Sequence, residues 1–85
     1  MPKDKSGNVI KRGDSVCLSE IPSQLLDGLP REDQDAISAQ LGKTLQVQSF
    51  GQGGLLELAF VDSHGNSHFI WIDPRHLELR EAKKR

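Results

Sequence analysis

The residue types best suited to chemistry lie in one short run of this 85-residue chain, Asp62-Ser63-His64-Gly65-Asn66-Ser67-His68, with His76 close behind. His64 and His68 stand four apart, a spacing that puts two imidazoles on one face of a helix and can begin a metal site. In a chain reversal that logic fails, because His64 falls in the turn and His68 on the returning strand. A closed structural zinc site needs about four good ligands, and Cys17 is remote in sequence, so no metal is expected. Asp62, Ser63 and His64 are the residue types of a catalytic triad. Consecutive residues, however, cannot aim at one another as nucleophile, base and orienter must. Gly51-Gln52-Gly53-Gly54 leads into a strand rather than a helix N-terminus, so it reads as a hairpin turn and not a phosphate cradle. No enzymatic activity and no cofactor are expected.

Two further groups weigh toward structure. Glu32, Asp33 and Asp35 fit the first turn of a helix, where the macrodipole favours acids, better than a dedicated acidic docking face. Cys17 alternates out of phase with Val16 and Leu18 and reads as a small hydrophobe beneath the helical insert. No cation or helix N-terminus is placed beside it to activate the thiol.

The elements that hold these residues are mostly strands. Val16 and Leu18 alternate with Ser15, Cys17 and Ser19 in a first strand. Residues 44–50 alternate again, with Leu45, Val47 and Ser49 on one face and Thr44, Gln46, Gln48 and Phe50 on the other. In residues 55–61, Glu57 belongs outside, so Leu56, Leu58 and Phe60 form the core face. In residues 67–72, Ile70 and Ile72 join them. Phe69 and Trp71 then share the opposite side with Ala59 and Val61. Asp73-Pro74 ends that strand and Leu77-Glu78-Leu79 gives a last short one.

Between the first two strands the texture changes. Residues 21–29 suit a short helical turn. Pro30 then sits where a first helical residue is favoured, Glu32 and Asp33 follow in the first turn, and Gly42-Lys43 is a stop signal. A helix is predicted over residues 30–41, with Ile37 and Leu41 on one face. An outer sheet face as apolar as Phe69 and Trp71 must be covered or used. The insert, with Leu25, Leu26, Leu29, Ile37 and Leu41, is the expected cover, and a binding groove lined by Trp71 is the alternative.

The formal net charge of −1 hides an uneven layout. Residues 13–74 carry only Arg31 and Lys43 against nine acids, while both ends are basic. An acidic body is a poor footprint for nucleic acid, which needs cations that displace condensed counterions. The single cysteine excludes an internal disulfide and suggests no oxidising compartment. No apolar run approaches the roughly 20 residues of a membrane span. The basic start has no apolar stretch behind it to make a signal peptide. A cytoplasmic monomer is expected, with no membrane association.

The pattern Ile10-x-x-Gly13-Asp14-x-Val16-x-Leu18 resembles the opening of many SH3-like barrels. So do Glu57-Leu58-x-Phe60-x-Asp62-x-x-Gly65 and Ile70-Trp71-Ile72-x-Pro74-x-x-Leu77. As a whole the chain is similar to small bacterial SH3-like proteins with a Leu-Pro-rich helical insert after the first strand. The resemblance spans about residues 9–79 and implies a mainly β fold. That fold is a small antiparallel barrel of about five strands with a helical insertion at residues 22–41; outside it, the polar residues 1–8 read as a flexible lead-in and residues 80–85 as a charged tail. It carries no catalytic residue. Eukaryotic-type SH3 domains read polyproline with several aromatics including tyrosine, and this chain has no Tyr. Only Phe50 with Phe69 or Trp71 could supply an aromatic cage. The function expected is a binding or accessory module that meets another protein through Phe69, Trp71, Phe50, His64 or His68. The alternative is a KOW-like module that uses the basic termini on nucleic acid.

Overall fold

The computed structural model describes residues 2–81. Five strands, β1 (Ser15–Leu18), β2 (Thr44–Phe50), β3 (Leu56–Val61), β4 (Ser67–Ile72) and β5 (Leu77–Glu81), form one antiparallel sheet in the order β4-β3-β2-β1-β5. β4 and β5 end the sheet and do not pair with each other, so the sheet is open. Two short helices, α1 (Ser23–Leu26) and α2 (Arg31–Ser38), lie between β1 and β2, and a 3-10 turn at Pro74–His76 precedes β5. No helix among the described residues is long and apolar enough to cross a membrane.

Alternation dictates the core. Leu56, Leu58, Phe60, Ile70 and Ile72 are buried together with Val16, Leu18, Leu45, Val47, Ile10 and Leu77. The insert packs on this same inner face. Ile37 is part of the core, and Ile21, Leu25, Leu26, Leu29 and Ala36 pack against it. The expectation that the insert covers Phe69 and Trp71 is thereby corrected: they stay 62% and 44% exposed on the other face. The reason lies in the open sheet. Its inner face is the larger apolar surface, and without closure water would reach it unless the insert filled the gap.

α2 stops at Ser38, three residues short of the predicted end, and the chain then turns into Gly42, whose φ of 80° suits the left-handed region. Leu41 lies beyond the helix and is exposed, so it does not share the buried face of Ile37. Cys17 is buried, opposite Thr44 on one side and Glu78 on the other, on the face away from Val16 and Leu18, so it does not lie beneath the insert as expected.

β2 departs from simple alternation. Its register against β3 slips between Val47 and Ser49, so Ser49 faces Glu57 and Phe50 faces Leu56. A bulge adds one residue and reverses the side-chain phase beyond it. Ser49 therefore leaves the face of Leu45 and Val47, and its hydroxyl donates to Glu57 Oε1 at 3.0 Å. Phe50 moves to the face of Leu56, opposite to the one that alternation assigns.

The first residues are not a loose lead-in. Lys3 bridges Val9, and Asp4 is buried at the centre of a turn. The Asp4 carboxylate accepts from the backbone N–H of Ser6 (2.9 Å), Asn8 (2.7 Å) and Leu79 (2.7 Å), and from Asn8 Nδ2 (3.1 Å). Lys5 N–H donates to the carbonyl of Leu77 at 2.9 Å. The segment is clipped along the outer edge of β5. Arg80 and Glu81, expected in the charged tail, belong to β5 itself, and Glu81 pairs with Ser15; residues 82–85 lie outside the described residues.

Candidate functional site

Trp71 is the centre of the exposed apolar surface. It stands opposite Glu57, two strand positions from the Ala59–Phe69 pair and so on the same face. With Phe69 and Val61, 61% exposed, it forms an apolar strip on the outer face of the β3–β4 hairpin. Its indole leans toward the β2–β3 connection and lies over Gly51. A Cβ at residue 51 would meet Trp71 Cζ3 at 2.5 Å and Cε3 at 2.8 Å. Gly51 has extended backbone that any residue could adopt, so the demand for glycine there is steric. The ring needs the space.

Beside this strip runs a cleft of about 580 Å³, with α1 and α2 as one wall and the flank of β4 as the other. Leu25, Leu29 and Ile37 line the first wall; every residue from His68 to Asp73 lines the second. Consecutive strand residues point to opposite faces. A cavity touched by all of them therefore runs along the strand's edge rather than over one face. A second cleft of about 940 Å³ lies between α2 and the β3–β4 turn and shares Asp33 and His68 with the first. Together these two clefts make up the trough beside β4.

The charges along the trough are mostly negative. Its turn end carries Glu32, Asp33, Asp35 and Asp62 against one cation, Lys43. Arg31 pairs with Asp35 at 3.3 Å on the exposed side of α2. At the other end Asp73 lines the trough and is held by Arg75 at 3.0 Å, a bond that keeps its carboxyl below the ordinary range.

The histidines serve the frame. Asp62 Oδ2 accepts from His68 Nε2 at 2.8 Å, and Oδ1 accepts from the backbone N–H of His64 (2.8 Å) and Asn66 (2.9 Å). The His68 bond, helped by these amides, keeps the Asp62 carboxyl far below its ordinary range, so Nε2–H is the donor. His68 also stacks on Phe60, ring centroids 4.9 Å apart and planes 10° from parallel. Asp62 is thus engaged in closing the turn, and His64 stays exposed at its tip. His76 Nδ1 is bonded to Glu20 at 2.7 Å, away from that turn. Among the described residues no three His, Cys, Asp or Glu side chains gather as a metal ion would require.

The structure brings Phe69, Trp71 and His68 to the trough and separates Phe50 and His64 from its apolar end. Phe50 lines a hollow with Pro2, Leu56 and Pro74 that adjoins the first cleft at Leu55 and Asp73, but it sits on the face of Leu56, opposite to that of Trp71, so the two rings do not form a cage. Leu25, Leu29 and Asp33, not singled out as site residues from the sequence, line the trough. The period of the helical insert signals that these side chains pack, but not which of them also borders an opening. The chain matches no family model, no curated protein and no solved structure.

Proposed function

We propose that the chain is a non-enzymatic binding module of SH3-like build that recognises another protein through the trough beside β4. The SH3-like reading is supported by five short antiparallel strands, a helical insert after the first and a tight 3-10 turn before the last. The observation that carries the binding reading is the half-exposed Trp71, seated on Gly51 and flanked by exposed Phe69, at the mouth of an apolar-walled cleft. Burying such a surface against a partner is favourable by about 25 cal/mol per Å² of apolar area, and large aromatics dominate protein interfaces. The same reading has a monomer in a reducing cytoplasm, in keeping with the single buried Cys17. The acidic trough disfavours nucleic acid as its occupant.

A photoreactive amino acid at position 69, with one at exposed position 9 as control, tests the reading. A protein adduct formed at 69 and not at 9 is expected. The recovered protein, once purified, should bind the wild-type chain and lose that affinity against Phe69→Glu. Adducts dominated by nucleic acid, or capture equal at both positions, would move the assignment to the KOW-like alternative or to no site at all.

A further inference from the structure

The two edges of the sheet are treated differently. At β5 the chain's own first residues occupy the edge: Leu79 N–H donates to Asp4 and Leu77 C=O accepts from Lys5 N–H. At β4 no such cover exists among the described residues, and β3 is its only strand partner. The turn sets which groups are left over. Asp62 N–H bonds the Asn66 carbonyl at 2.9 Å, and hydrogen-bonded pairs alternate in an antiparallel ladder. Phe60–His68, Leu58–Ile70 and Leu56–Ile72 are then the bonded pairs. The N–H and C=O groups of Ser67, Phe69 and Trp71 point away from β3, into the trough.

We infer that the trough accepts an extended peptide as a sixth strand, paired antiparallel to β4 through the backbone of Ser67, Phe69 and Trp71. An unpaired strand edge is a template for such addition. The occupant's chemistry follows from the charges. An antiparallel segment starts beside Ile72, between Trp71 and Leu25 of α1, and ends beside Ser67, where Glu32, Asp33, Asp35 and Asp62 outnumber Lys43 and the Arg31 paired with Asp35. The ligand is therefore a protein segment with apolar residues in its first half and Lys or Arg in its last. This rests on the binding-module reading, and adds to it the mode and polarity of the ligand.

The test is a selection of displayed random peptides of about ten residues, the span of a strand with its flanks, against the full chain. Enriched peptides should be apolar first and basic last. Backbone N-methylation at alternate positions should weaken them about tenfold, the loss of one or two hydrogen bonds. Amide exchange at Ser67, Phe69 and Trp71 should slow on binding. Phe69→Pro removes an outward donor without touching the ladder to β3. It should retain the fold by circular dichroism and bind more weakly than Phe69→Ala, which keeps that donor. Peptides that bind without protecting these amides, that tolerate N-methylation, or that are enriched in proline or acids overturn strand addition. If such peptides still crosslink at position 69, the binding-module reading stands without it. A failure to enrich any peptide over a library screened against Phe69→Pro overturns the inference, as does sedimentation showing that a second copy fills the edge.

Discussion

Trp71 and Gly51 occupy each other's space: the six-membered edge of the indole lies where the first side-chain atom of any other residue at 51 would be. Because the ring is 44% exposed, it can swing outward when displaced. Gly51→Ala should cost only about 1 kcal/mol, the worth of part of one apolar contact. It should also red-shift the single tryptophan's emission and raise its quenching by iodide. In a Trp71→Ala background the same change should be close to neutral, a coupling that a double-mutant cycle reads directly.

Trp71→Ala alone should be mild. A fully buried tryptophan costs about 3–5 kcal/mol to delete, and this one is half in solvent, so about 1–2 kcal/mol is expected by urea denaturation. Partner binding should fall far more than stability does.

Ile37→Ala should be severe, about 2–4 kcal/mol, because Ile37 is the buried anchor of α2 in the core. Leu41→Ala, in the same stretch of sequence but exposed beyond the helix end, should change the melting temperature little. A comparable loss at both positions would refute the packing of the insert on the inner face.

Asp4 links stability to pH. Burial pushes its carboxyl up, but hydrogen bonds from Leu79, Asn8 and Ser6 outweigh that, and it titrates below its ordinary value of 3.8. The unfolded chain therefore takes up the proton first as pH falls. The contribution of Asp4 is complete above the unfolded value and is lost as pH drops through the folded one. Asp4→Asn should cost about 2 kcal/mol at neutral pH, as loss of charge-assisted bonds does, and flatten the acid limb of the stability curve. Denaturant titrations across that limb decide it.

Asp62→Ala should loosen the β3–β4 turn. The amides of His64 and Asn66 lose their acceptor, so their hydrogen exchange should accelerate by about tenfold. Exchange at Leu58 in the middle of β3 should be unmoved.

The inner faces of β3 and β4 were legible from alternation, since Leu56, Leu58, Phe60, Ile70 and Ile72 could be placed by period alone. Gly42 marked the turn that follows α2. The β2 bulge was not legible: nothing about Gln48 announces an extra residue, and its effect, the reversal of Phe50, depends on the partner strand. The side taken by the insert was a contest between two apolar surfaces, decided by the open edge of the sheet, which a local pattern does not contain. The Asp4 clip was missed, residues 1–8 having read as a flexible lead-in. Asp4 with Gly7 and Asn8 signals a turn, but its fourth bond reaches Leu79, 75 positions away.

That clip also sets how many copies can join. A sheet with one free edge can take a single added strand, and the assembly then stops, as a pair or as a filled module. A sheet with two free edges passes the invitation on, each new member presenting the edge its neighbour has just used, and growth has no end. With Asp4 and Lys5 bonded along β5, strand addition at β4 as inferred above would have a valence of one. Under that inference, removing residues 1–8 would free a second edge, and concentration-dependent growth of assemblies in sedimentation is the expected outcome.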